Sequence, residues 1–214
     1  MFLNDNSFKK ILLKLNDFNL PGHDSLSKIV PPFRTKLLKN MTIPIDCKKA
    51  AVLMLFYPDS NSDTRMVLIL RNKYNGIHSN QISFPGGKVD DLDKNLQQTA
   101  LRETFEEIGV NSSLIKIVNK LSSVYIPPSN FHVQPFVGYS ENNLVFKADK
   151  KEVALIITPL LKDLLNLKIV NSKVSIRGYD HEVPSYLVDN QVLWGATAMM
   201  VYEFMEFYLD MSNS

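Results

Sequence analysis

Cysteine is nearly absent: the chain of 214 residues carries one, Cys47, so no internal disulfide can form. With no signal-like leader either, this usage fits a reducing cytosol, and a cytoplasmic location is expected. Nothing around Cys47 marks it as a nucleophile. Long hydrophobic runs are also missing. No stretch approaches the roughly 20 apolar residues that a spanning helix needs, so no membrane partner is expected. The opening MFLNDNSFKKILLKLNDF is interrupted by Asn, Asp and Lys and makes a poor signal peptide. Basic blocks are lacking as well, since 24 Lys and Arg are spread among 22 Asp and Glu for a net charge of +2. Nothing therefore points to a nucleic-acid backbone surface and no nucleic-acid partner is expected, while a small charged metabolite stays open as a partner. There is no internal repeat and no low-complexity tract.

What is present reads as one ordinary globular domain, with 45% hydrophobic and 21% charged residues. Phe8, Ile11, Leu12 and Leu15 share one face of a short amphipathic helix, expected to pack on the domain or on a second subunit of a homodimer. Residues 19–49, with Pro21, Gly22, Pro31, Pro32 and Pro44, read as an irregular arm, so 1–49 is expected to wrap a domain spanning 50–210. AAVLMLFY and MVLILR are buried-strand runs joined by the polar PDSNSDT. Further strands are expected at LIKIVNKLSSVYI, HVQPFVGY, LVF and VALII, then a short helix at PLLKDLL. KVSIRGY and PSYLV predict a hairpin, and a closing helix is expected from about Gln191 to Leu209. The order predicts an α/β (α+β) fold, a mixed β-sheet sandwiched between α-helices.

The segment FPGGKVDDLDKNLQQTALRETFEEIGV, Phe84 to Val110, concentrates chemistry. At about 100° per residue, Glu103, Glu106 and Glu107 fall within roughly 100° of one another, beside an apolar face of Ala100, Leu101, Thr104, Phe105 and Ile108. Like charges so spaced destabilise a helix slightly unless a cation sits among them, and hard divalent ions prefer oxygen ligands. Asp93 is placed to cap the helix start and Gly109 its end. Pro85-Gly86-Gly87 stops the strand-like run Gln81–Phe84.

This segment resembles the Nudix box, the loop-helix-loop signature of hydrolases that cut nucleoside diphosphates linked to another group. Arg102-Glu103-Thr104-Phe105-Glu106-Glu107-Ile108-Gly109-Val110 matches its core. Upstream, Asp93 stands in place of the usual Glu, with one extra residue before Arg102. FPGG followed by TALRE and EE.G is similar to the coenzyme A diphosphatase branch, as is LILRNKYNGIHSNQISFPGG through Arg71, His78, Gln81 and Phe84 to Gly87. Asn72, Asn75, Gly76 and Asn80 depart from that branch's more usual Ser, Leu, Arg and Gly. VYIPPSNFHVQPFVGY, KKEVALIITPLLKDLL and VLWGATAMMVYEF extend the resemblance over roughly residues 50–205.

The resemblance implies hydrolysis of coenzyme A or an acyl-CoA to 4′-phosphopantetheine and adenosine 3′,5′-bisphosphate, with Mg²⁺ or Mn²⁺. It implies metal ligands at Glu103, Glu106 and Glu107, a main-chain approach at Gly87, and Arg102 as the residue that orients the glutamates. The general base is one of the glutamates or an acid from another loop. Glu152 in KKEVALII is either that acid or a solvated helix or strand end. Arg71, His78 and Gln81 are implied in substrate binding: the Arg71 fork suits phosphate oxygens, while His78 is either a phosphate or adenine contact or an ordinary loop histidine. Two other readings remain: a Nudix hydrolase of ADP-ribose, NADH or a damaged dNTP, and a non-catalytic nucleotide-binding regulator. The complete glutamate set argues against the regulator.

Overall fold

The computed structural model describes residues 5–16, 18, 20, 28–31, 42–74, 76, 78–176 and 178–213. Most of the expected arm, and Asn75 of the segment before the glycines, lie outside these residues. The strand β1 (Lys48–Pro58) is the spine. Its side chains alternate between two apolar clusters, as a strand with both faces covered must. Ala51, Leu53, Leu55 and Tyr57 go to one cluster, and Ala50, Met54 and Phe56 to the other. The first is closed by helix α2 (Leu96–Ile108) and the second by helix α4 (Gly195–Asn213) together with α1 (Asp5–Leu13). The sequence-based expectation of a mixed sheet between helices therefore holds.

Around β1, β2 (Thr64–Met66) and β5 (Gly86–Lys88) pair antiparallel, and β8 (Phe131–Tyr139) pairs parallel. The strands β6 (Lys116–Lys120) and β7 (Val124–Ile126) complete this six-stranded sheet on β8. A second sheet has the order β4 (Ile82–Ser83), β3 (Leu68–Arg71), β9 (Val153–Ile157), and it is followed in the chain by the short helix α3 (Leu161–Leu165). A third is the meander β10 (Val170–Ile176), β11 (Tyr179–Val188), β12 (Gln191–Trp194). The run MVLILR is thus divided at Val67, with Met66 serving the first sheet and Leu68–Arg71 the second.

Phe8, Ile11, Leu12 and Leu15 are buried, with the Phe8 ring 5.0 Å from that of Phe56 and 6.0 Å from that of Tyr208. The amphipathic face is covered by the chain's own core. Two expected elements are corrected. LVF is irregular, because the amides that follow are used elsewhere: Lys147 N–H donates to the Ile108 carbonyl and Asp149 N–H to that of Glu107. The segment satisfies the free carbonyls at the end of α2 instead of joining a ladder. The closing helix begins at Gly195, since Asp189 and Asn190, with φ of 47° and 62°, turn the chain from β11 into β12. Two consecutive positive φ values are what a two-residue hairpin loop requires. Among the described residues no helix is long and apolar enough to cross a membrane.

Candidate active site

Helix α2 carries most of the acidic cluster and is held at both ends. Asn95 caps its start, accepting from Gln98 N–H at 2.9 Å, and Gly109 closes it in the left-handed region at φ 74°, donating to the Phe105 carbonyl. The expected cap, Asp93, does other work. Both its oxygens receive the Arg102 guanidinium, at 3.0 Å from Nε and 2.9 Å from Nη2. The helix is also rotated from the expected burial, because Thr99, Ala100, Thr104, Glu107 and Ile108 form the inner face and Phe105 is exposed. A glutamate thus sits in the buried arc.

Arg102 gathers the cluster. Besides Asp93, its Nη1 donates to Glu103 Oε1 and Glu106 Oε2, each at 2.9 Å, and its Nη2 to the Lys88 carbonyl at 3.1 Å. A planar fork with five donors suits such a set, and ionised partners make its bonds strong. The guanidinium holds the Asp93 carboxyl well below the usual carboxylate range.

Glu107 is 2% exposed, accepting from Gly86 N–H at 2.8 Å and facing Arg71 Nη1 at 3.3 Å. Burial pushes its carboxyl up to about 7, and the negative charges of Glu103 and Glu152 add to the effect. Glu103 is raised for the same first reason, burial, against the pull of Arg102, with Glu106 and Glu152 again adding repulsion. Glu152, exposed in the turn that leads into β9, is therefore close enough to be felt by both. Its carbonyl accepts from Asn72 N–H at 2.9 Å, which fixes it beside Arg71. On the same rim His78 Nδ1 lies 3.2 Å from Gln81 Oε1, and burial lowers the affinity of the imidazole for a proton.

The glycines leave room that side chains would fill. A Cβ on Gly87 would collide with the Glu103 carboxylate, and one on Gly86, at φ 147°, with the Ala51 carbonyl. The structure thus brings Arg71, His78, Gln81, Gly87, Arg102, Glu103, Glu106, Glu107 and Glu152 to one region. As they stand, no three acidic side chains among the described residues converge tightly enough to enclose a metal ion. Glu103 and Glu106 are turned to Arg102, and Glu107 to Arg71 and Gly86. The chemistry of the set nevertheless fits a divalent cation, because mutually repelling carboxylates line a cradle kept open by a missing Cβ.

Carboxylates gathered behind a glycine turn, one of them buried, make a candidate site for a divalent cation. The chain belongs to the Nudix family: the NUDIX domain model matches residues 48–163, the stretch that builds this site. An uncharacterised Nudix hydrolase, NudL, of Yersinia pestis is 34% identical over 160 residues, covering 74% of this chain and 73% of that protein. Its counterpart in Yersinia pseudotuberculosis matches to the same extent. Among solved structures, a MutT/Nudix family protein from Enterococcus faecalis is 14% identical at a TM-score of 0.49, covering 100% of this chain and 76% of that one. An Ap4A hydrolase from C. elegans is 18% identical at a TM-score of 0.46, covering 55% of this chain and 83% of that one. Family membership makes the protein a hydrolase of phosphoric anhydrides in nucleoside diphosphate derivatives, of the kind that generally needs a divalent metal ion.

Proposed function

We propose that this enzyme cleaves the diphosphate of coenzyme A or its derivatives, giving 4′-phosphopantetheine and adenosine 3′,5′-bisphosphate. The observation that carries the reading is the segment RNKYNGIHSNQISFPGG, whose Arg71 faces Glu107 of the carboxylate cluster while its His78 and Gln81 meet each other close enough to Arg71 for His78 to feel its charge. Glu103, Glu106, Glu107 and the main chain at Gly87 would hold Mg²⁺ or Mn²⁺. When bound, the ion neutralises phosphate oxygens and acidifies water. The protein's own contribution is orientation and proton transfer: Arg102 aims Glu103 and Glu106, and a glutamate takes the proton of the attacking water. His78, held neutral by burial and aligned by Gln81, serves as a hydrogen-bonding group, leaving Arg71 as the cation for the substrate's anionic groups.

The test is purified protein with Mg²⁺ or Mn²⁺ offered CoA, ADP-ribose, NADH and dNTPs side by side. CoA is expected to win. Dephospho-CoA lacks the 3′-phosphate. A charge-assisted contact of about 1.5–3 kcal/mol to that group predicts kcat/KM for CoA about tenfold to a hundredfold higher. Faster hydrolysis of ADP-ribose or NADH under matched metal would remove the coenzyme A reading and leave the family assignment.

Glu152 provides a separate check. Because its charge reaches both Glu103 and Glu107, Glu152→Gln is expected to lower kcat much more than it changes KM, the pattern of a contact that matters in the transition state. Unchanged steady-state kinetics would return Glu152 to a solvated strand end.

A further inference from the structure

We propose that Arg71 is a positioning residue for Glu107, serving as its counterion until a divalent cation displaces it. The proposal rests on the divalent-metal reading of the site given above. A desolvated carboxylate is costly unless a cation compensates it, and a neutral backbone donor such as Gly86 N–H supplies only part of that. Among the described residues Arg71 is the ion-pair partner that Glu107 has. Its delivery is built into the second sheet. Arg71 N–H donates to the Gln81 carbonyl on one side, and Arg71 pairs with Val153 on the other. The β3–β9 register shifts between Leu70 and Arg71, the kind of irregularity that re-aims a side chain.

The contact is built to be given up. Arg71 touches Glu107 through Nη1 alone at 3.3 Å, and its buried Nε donates to no acceptor among the described residues. Arg102, by contrast, grips Asp93 with two nitrogens at 3.0 and 2.9 Å and reaches two further carboxylates. A fork used at one prong is a weaker hold than a bidentate pair. A divalent cation held by the Glu107 carboxylate would compete with Arg71 for the same negative charge. Once displaced, the guanidinium keeps its charge at the rim where an anionic substrate enters.

The experiment is Mn²⁺ titration by calorimetry, with thermal melts in EDTA and in Mn²⁺, on the parent protein, Arg71→Ala and Arg71→Lys. Arg71→Ala is expected to bind Mn²⁺ about tenfold more tightly, as befits loss of a close competing charge. It should also melt below the parent in EDTA and gain more from Mn²⁺. Arg71→Lys, which keeps the charge, should bind Mn²⁺ more nearly as the parent does. Should Arg71→Ala not fold, Arg71→Gln is read by the same criteria. Affinity in the charge-removing variant equal to or weaker than the parent's overturns the proposal, since a merely structural arginine would lower the melting temperature without tightening the metal. A parent that binds no Mn²⁺ overturns the metal reading beneath it as well.

Discussion

Glu107→Gln is expected to lower kcat/KM by about 10³-fold or more while leaving the fold intact. The magnitude follows from the several kcal/mol of charge stabilisation that a metal site contributes to phosphoryl chemistry. The substitution keeps the shape of the side chain and its bond from Gly86 N–H, and it removes the charge. Stability in EDTA should move the other way. The folded carboxyl is raised to about 7 from 4.5. A group raised in this way costs nothing well below the unfolded value, costs progressively more as pH climbs from there towards 7, and levels off above it. The distance between the two values corresponds to about 3 kcal/mol at most. Chemical denaturation from pH 4.5 to 8 should therefore show Glu107→Gln gaining on the parent as pH rises. Persistent turnover in excess EDTA, or a near-normal Glu107→Gln enzyme, would refute the assignment of this cluster.

The second large effect is expected at Arg102. Arg102→Ala removes the common partner of Asp93, Glu103 and Glu106 and leaves three carboxylates without it. We expect kcat/KM to fall by about a hundredfold, the scale on which misplacing reacting groups is felt. Arg102→Lys should recover little, because one ammonium cannot reproduce the fork on Asp93 together with the contacts to both glutamates. Stability should fall by about 1–3 kcal/mol. The Asp93 carboxyl is depressed in the folded state by its bonds from Arg102, so its share of that difference is present above the ordinary value of 3.8 and fades as pH falls below it. A variant with parental kcat/KM would leave Arg102 as an ordinary surface ion pair.

Much of this was legible in the sequence because local rules carried it. The unbroken apolar run AAVLMLFY, the Gly109 stop and the clustering of Glu103, Glu106 and Glu107 all follow from composition, periodicity and turn chemistry. Asp93 is not the cap that its position suggests, because a better one lies two residues on. Asn95 followed three residues later by Gln98 is a near capping-box pair, and the Gln98 side chain accepts from Lys94 N–H at 2.9 Å. With the cap filled, Asp93 was free for Arg102. The Asp189-Asn190 turn likewise carried a local signal that could have placed β12 before the last helix. Other features had no local signal. That Glu107 lies in the buried arc while Phe105 does not depends on where Arg71 and Gly86 stand, and those come from distant strands. LVF failed for a similar reason, since its neighbouring amides are claimed by the end of α2.

The parallel pairing of β1 with β8 carries a consequence for how the enzyme comes into being. These strands pair along nine successive positions from Lys48–Phe131 to Phe56–Tyr139, and everything between them in the chain must already be looped out before the first of those bonds forms. The glycine turn, α2 and its carboxylates all lie inside that loop. Closing it costs chain entropy that only the completed sheet repays, which makes such topologies slow to assemble. A nascent or partly melted chain therefore holds the catalytic sequence without holding the catalyst, and competence to hydrolyse arrives with the sheet as a whole.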